Sequence, residues 1–217
     1  LLGHAIAAAR DTGPEHLVVV VRHDRDRVAG HVGEVDAAAL VADQDDIKGT
    51  GRATECALAA LPADLAGTVL VTYGDVPLLT GETLRGLIAA HEGAGSAVTV
   101  MTAVRPDPSG YGRIVRAEDG SVQAIVEHKD ATAEQLAIRE INSGIYAFDA
   151  AVLRSALTQV TTDNAQAEKY LTDVLGIARS DGAGGNPSRP NGSRAAACFP
   201  APALTKASAP SRRVCET

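Results

Sequence analysis

Two runs rich in β-branched residues, 17–21 (LVVVV) and 68–72 (TVLVT), constrain the fold of this chain more than any other feature. The first is apolar at every position instead of at alternate ones, as in a strand covered on both faces. The second stops at Gly74-Asp75 and is followed by Pro77 and Leu78-Leu79. Helix-period segments fill the intervals. Residues 1–10 read as the back half of a helix already under way, 26–35 as a weak helix, 50–61 as an Ala- and Leu-rich one, and 80–92 as one carrying Leu84, Leu87 and Ile88 on one face. A short strand is expected over 37–42 and a longer one over 97–104. The segments 112–116 and 122–127 flank Glu118-Asp119-Gly120, a hairpin-type signal. A last strand is expected over 141–148, with helices over 149–157 and 165–179. Strands alternating with helices of this length predict an α/β fold with a doubly wound, mostly parallel sheet and an antiparallel elaboration in its second half.

Composition narrows the function classes. Of the 217 residues, 45% are hydrophobic and 22% charged, as in a soluble globular protein, so residues 1–182 have room for one domain. Aromatics make up 3% and Trp is absent, which leaves Val, Ile, Leu and Ala to fill the core. A net charge of −7 argues against a general nucleic-acid binder, which needs a basic footprint. No apolar run reaches membrane-helix length, and no charged-then-apolar leader opens the chain. Three cysteines without a CxxC pair suit a reducing cytoplasm better than a disulfide framework.

At about Gly182 the composition breaks. Residues 183–217 hold five of the ten prolines and carry a net charge near +4, against near −11 for residues 1–182. No strand or helix period survives there. Disorder is expected, either as a linker or as a translated stretch outside the domain's reading frame; the abruptness favours the second. Neither alternative gives Cys198 or Cys215 a role.

Five short stretches can carry chemistry, each with a plainer structural alternative. Asp75 closes the 68–72 strand, where ligands bind in open α/β sheets, and a lone carboxylate there can hold magnesium against phosphate oxygens. It can equally start a turn or cap the helix that begins near Thr80. Residues 44–53 (QDDIKGTGRA) place a Gly-Thr-Gly turn at a helix start, which offers backbone N–H groups to an anion or a base edge, or simply uses Thr50 as a cap. Gly110 and Gly112 around Tyr111 permit close approach to a ligand, or only a turn. Glu127 can accept hydrogen bonds from a sugar hydroxyl or amide; alternatively it pairs with Lys129 in solvent. Asn142 offers a donor and an acceptor together, which suits a sugar as well as an Asn turn. The six histidines show no metal-ligand spacing and read as surface residues, and Cys56 reads as a small packed side chain.

In this order, QDDIKGTGRA, YGDVPLLT, GYGRI, IVEHKDAT, EINSGIYAFD and NAQAEKYLTD closely resemble the uridyltransferase domain of the bifunctional N-acetylglucosamine-1-phosphate uridyltransferase/glucosamine-1-phosphate acetyltransferase family. The resemblance covers residues 1–182. It implies a Rossmann-like fold of nucleotide-diphospho-sugar transferase type. It also implies magnesium-dependent joining of UTP to N-acetylglucosamine 1-phosphate, giving UDP-N-acetylglucosamine and pyrophosphate for peptidoglycan synthesis in the cytoplasm. Carried onto this sequence, it gives uracil recognition to Gln44, Gly49 and Thr50. Asp75 becomes the catalytic metal ligand, with Tyr73 and Gly74 shaping the pocket beside it. Gly112, Glu127 and Asn142 would hold the N-acetylglucosamine moiety, and Tyr170 and Thr172 would line the sugar side.

The departures from the family pattern carry expectations too. The family's opening strand and LAAGxGTRM-type loop with its following lysine have no counterpart in this sequence. The same holds for the VNNR-like stretch and for the hexapeptide repeats of the acetyltransferase β-helix, on which trimer formation depends. Arg52 stands where His is usual. The expectation is a partial pyrophosphorylase domain, truncated at its first strand, marginally folded and without turnover on its own. Two alternatives stay open: a cofactor cytidylyl- or guanylyltransferase of the same fold, and a non-catalytic nucleotide-sugar binder.

Overall fold

The computed structural model describes residues 1–183 and the backbone of 197–200. Helix α1 (Leu2–Arg10) leads into β1 (Val18–Val21), α2 (Arg25–Val35), β2 (Leu40–Asp43), α3 (Thr50–Ala59), β3 (Thr68–Val71) and α4 (Gly81–Gly93). Then follow β4 (Val98–Val104), β5 (Arg113–Arg116), β6 (Val122–Val126), the short α5 (Ala133–Leu136), β7 (Glu140–Asp149), α6 (Ala150–Leu157) and α7 (Asp173–Ala183). Within the stretch read as a tail, β8 (Ala197–Pro200) runs parallel to β4. The rest of that stretch, with Cys215, lies outside the described residues.

Strands β3, β4, β5 and β8 run in one sense; β7 lies among them in the opposite sense. One edge of β7 pairs with β4 along most of its length. The other edge is shared, with β3 on its second half and β5 touching its first. β6 completes a hairpin with β5 through a turn in which Gly120 takes φ 79°. Period-2 alternation sorts the central strands onto two faces. Val98, Val100, Tyr146 and Phe148 face α6 and α7, while Met101, Ile145 and Ala147 face α1 and α4. Helices on both faces give the doubly wound α/β layering that the sequence predicts, but the sheet is mixed and not mostly parallel. β7 runs antiparallel to β3, β4 and β5, and among the described residues only the strand pairs β1–β2 and β4–β8 are parallel.

β1 and β2 form a separate parallel pair, with Val18 opposite Leu40 and Val21 opposite Asp43. Among the described residues neither strand is hydrogen-bonded to the larger sheet. β1 and β3 therefore each have one partner, and Val18, Val19, Val20 and all of β3 are only partly buried. The apolar runs predicted a strand covered on both faces; open edges account for the shortfall. Helix α3 packs on β1 and β2, and α1 packs on α2 and α4. Ion pairs Arg10–Asp36 and Arg85–Asp11, the latter at 3.0 Å, tie α1 into its neighbours.

Three local expectations need correction. The helix expected over 165–179 starts only at Asp173. Residues 164–172 form an irregular stretch because the Asn164 side chain brackets it, donating to the Glu168 carbonyl (2.6 Å) and accepting from Glu168 N–H (3.2 Å). Ala167 takes φ 52°, and the Lys169 backbone pairs with Lys48 and Gly51. Tertiary pairing has overridden local helix propensity. His91, expected at the surface, is 3% exposed, with Nδ1 2.9 Å from Thr99 Oγ1 on β4; burial lowers its pKa. Residues 132–136, given no element, form α5, closed by a capping box between Thr132 and Gln135.

Candidate active site

The residues expected on the sugar side converge through contacts made at the ends of β5, β6 and β7. Gly112 precedes β5, and its carbonyl accepts from Asn142 N–H on β7 at 2.9 Å. A Cβ on Gly112 would stand 3.3 Å from Ile125 Cγ2, 3.4 Å from Glu127 Oε1 and 3.5 Å from Asn142 Cβ, so Gly112 lies within contact range of both Glu127 and Asn142. Asn142 is 9% exposed and engaged on both amide atoms. Its Nδ2 donates to Tyr146 Oη at 2.6 Å and its Oδ1 accepts from Gly144 N–H at 2.9 Å. Gly144 has φ 81°, and Tyr73 lies so close over it that a Cβ there would fall 1.9 Å from the ring. The aromatic at the end of β3 is thereby brought against β7.

Glu127 follows β6 and is half-buried. Desolvation raises its pKa, an effect reinforced by Asp130, Asp173 and Glu168 and opposed by the hydrogen bond from Thr172 Oγ1 at 3.4 Å. No ion pair joins Glu127 to Lys129 among the described residues, so the solvent-pair alternative is set aside. Asp173 is likewise pushed up by burial and by Asp130. Tyr170 is 8% exposed and accepts from Gln166 Nε2 at 2.8 Å. Arg113, beside Gly112, is 1% exposed. Its guanidinium donates to the Tyr111 carbonyl and lies 3.4 Å from His128 Nδ1.

The residues expected on the nucleotide side sit after β2. Gly49, not Thr50, occupies the cap position of α3, with φ 109° and ψ 155°, and no side chain caps the helix. Thr50 Oγ1 instead accepts from Leu171 N–H at 3.3 Å, so the simple-cap alternative fails. Gln44 Nε2 donates to the carbonyls of Ile47 (2.9 Å) and Gly49 (3.2 Å), which stiffens the loop and leaves Oε1 as a free acceptor direction.

Asp75 lies exposed in the turn after β3, and Gly74 packs beneath Leu2 of α1. Thr80, not Asp75, caps α4, accepting from Thr83 N–H at 3.2 Å. No group of three or more His, Cys, Asp or Glu side chains is placed to hold a metal among the described residues. A lone hard oxygen donor fits a magnesium ion only when phosphate oxygens share it.

Residues 49–50, 169–172, 127, 112, 142 and 73 thus form one continuous line of contacts. The sequence did not mark Lys169, Glu55 or Tyr146 as parts of it. Lys169 and Glu55 depend on pairing between segments more than 100 residues apart, and Tyr146 on its hydroxyl meeting Asn142 within β7, although Arg52 in a place usual for His was a visible signal.

An α/β domain in which residues 169–172 join a Gly-Thr-Gly turn to the ends of β5, β6 and β7 fits the architecture of a nucleotidyltransferase. Residues 1–140 match the family model described as "MobA-like NTP transferase domain", and the chain belongs to that family. It is 64% identical over 184 residues to the bifunctional protein GlmU of Pseudarthrobacter chlorophenolicus and 65% identical over 184 residues to that of Paenarthrobacter aurescens. To the GlmU of Micrococcus luteus it is 62% identical over 195 residues. These matches cover 84% of this chain but only 37–39% of each relative, so the chain spans under two fifths of their length. Among solved structures it is similar to a UDP-glucose pyrophosphorylase complexed with UDP-glucose (TM-score 0.60, 16% identity, 80% of this chain and 72% of that one). An apo UDP-glucose pyrophosphorylase gives a TM-score of 0.61 at 15% identity, over 81% and 73%. These two show the fold. Among the described residues no helix is long and apolar enough to cross a membrane.

Proposed function

We propose that this chain carries the uridine- and amino-sugar-binding part of a UDP-N-acetylglucosamine pyrophosphorylase. The observation that supports this best is the cluster of Gly112, Glu127 and Asn142, joined through residues 169–172 to the Gly49–Thr50 turn. Glu127 accepts hydrogen bonds from the sugar, and the lack of a Cβ at Gly112 gives the acetamido group its approach. Gln44 and the turn read the uracil edge. The phosphate oxygen of N-acetylglucosamine 1-phosphate attacks the α-phosphorus of UTP in line, and pyrophosphate leaves. The protein supplies orientation and no covalent intermediate. Asp75 would hold magnesium together with phosphate oxygens, the ion supplying charge neutralisation. The product would feed peptidoglycan precursor synthesis in the cytoplasm. The family's triphosphate loop has no counterpart in residues 1–217, so the reading for this stretch expressed alone is binding without turnover.

Calorimetric titration of the 217-residue chain tests this. UDP-N-acetylglucosamine should bind in the presence of magnesium at least tenfold tighter than UDP-glucose, about 1.4 kcal/mol. Asp75→Asn should remove the magnesium dependence and leave the sugar preference. Equal affinity for the two nucleotide sugars would refute the amino-sugar assignment. Release of pyrophosphate from UTP and N-acetylglucosamine 1-phosphate would refute the absence of turnover.

A further inference from the structure

The Gly49–Gly51 turn is held from a stretch far away in sequence. Lys169 N–H donates to the Lys48 carbonyl at 2.9 Å, Gly51 N–H donates to the Lys169 carbonyl at 2.8 Å, and Leu171 N–H donates to Thr50 Oγ1 at 3.3 Å. Charged side chains pair across the same segments. Lys169 Nζ is 2.6 Å from Glu55 Oε1, and an Arg52 guanidinium nitrogen is 2.9 Å from Glu55 Oε2. The same guanidinium reaches Asp45 at 2.5 Å. Asp45 lies in the loop ahead of the turn, while Arg52 and Glu55 lie on α3 just after it. The network therefore spans the turn on both sides and anchors it to residue 169. Three residues further on, Thr172 Oγ1 contacts Glu127.

We propose that Lys169, Glu55 and Arg52 are positioning residues that bolt the nucleotide-reading turn to the 169–172 strap, so that uridine-side and sugar-side occupancy are energetically coupled. This rests on the reading under Proposed function. Exposed ion pairs contribute little, but the Glu55 and Lys169 side chains are 17% and 20% exposed, and their pair joins the same two segments as the three inter-segment bonds. The strap has fixed anchors at both ends: the turn at residues 169–171 and Glu127 at Thr172. A ligand that orders the turn thereby holds the strap, and with it the Thr172–Glu127 contact, in the geometry that the sugar requires. Lys169 Nζ is committed to Glu55, not to a ligand, so its effect passes through the strap.

The test uses UMP and N-acetylglucosamine 1-phosphate as separate probes. Each is titrated calorimetrically into the 217-residue chain alone and with the other saturating. In the wild type each ligand should tighten the other by the same factor, about fivefold, since coupling is reciprocal. Lys169→Met and Glu55→Gln should bring that factor close to one, and Lys169→Arg should retain it. A merely structural role would weaken both probes and lower the melting temperature while leaving the factor unchanged, and that result overturns the proposal. Single-probe binding without coupling in the wild type overturns it too and leaves the functional reading intact. Failure of the wild type to bind either probe overturns both.

Discussion

Replacing Gly49 by alanine tests whether the turn is shaped by close backbone approach or only by conformational preference. At φ 109° and ψ 155°, Gly49 occupies a region essentially reserved for glycine, and alanine there costs about 1–3 kcal/mol. The new Cβ would also stand 2.2 Å from the Lys169 carbonyl oxygen and 2.7 Å from its nitrogen. Neither atom is the end of a flexible side chain, so the strap must move. That movement breaks the bonds from Lys169 N–H to Lys48 and from Gly51 N–H to Lys169, each contributing about 0.5–1.5 kcal/mol. The total is about 2–6 kcal/mol. Gly110 is the matched control, with φ 79° and no atom within 4 Å of a built Cβ. There alanine should cost only the left-handed conformation, about 1–2 kcal/mol. At about 2–4 °C per kcal/mol for a chain of this size, Gly49→Ala should melt roughly 5–10 °C below Gly110→Ala. Melts followed by circular dichroism, with hydrogen exchange at the Gly51 and Lys169 amides, provide the assay. Melting temperatures within about 2 °C of each other and unchanged protection of those amides would refute the reasoning.

Two further outcomes follow from the cluster of Gly112, Glu127 and Asn142. Asn142→Ala leaves the buried Tyr146 hydroxyl and Gly144 N–H without their partner, at about 1–3 kcal/mol each. Urea unfolding should report a loss of about 2–6 kcal/mol, and a loss under about 1 kcal/mol would show that the amide is not holding the strand. Because burial raises the Glu127 pKa above 4.5, the native state binds a proton more readily than the unfolded chain. Stability should therefore rise as pH falls from neutral through the raised value, and this increment levels off below 4.5. Asp173 shifts in the same direction, so the comparison is with Glu127→Gln, whose stability should gain less on acidification from pH 7 to about 5. An equal or larger gain in the variant would contradict the assignment.

Local signals carried the fold where one element decides its own state. The valine run, the Leu84-Leu87-Ile88 helix face and the Gly120 hairpin turn all gave elements within a few residues of those observed, although the cap of that helix is Thr80 and not Asp75. The signals failed where distant chain intervenes. Residues 165–172 have helical composition, yet the Lys169 backbone is claimed by the turn at Lys48–Gly51. Thr50 reads as a cap, but its hydroxyl serves Leu171. His91 reads as a surface residue until α4 is laid on Thr99. Gly112, Glu127 and Asn142 could be named from motif resemblance, and the structure brings them together. Their desolvation and shared hydrogen bonds were not legible, because both depend on how β5, β6 and β7 are staggered.

The separation of the β1–β2 pair from the larger sheet has a thermodynamic consequence. With no ladder hydrogen bond between them among the described residues, the two parts are joined by helix packing and by the 169–172 stretch, and they should open as distinct foldons. The Gly49 turn belongs to one and Glu127 to the other. A ligand touching only the turn stabilises its own foldon and reaches the larger sheet only through the 169–172 stretch. A ligand lying across both would act as a clasp, raising the free energy of either opening by about 2.7 kcal/mol at a hundredfold excess over its Kd. Amides of β1 and β7, which report different openings in the free chain, would then exchange as a single cooperative unit.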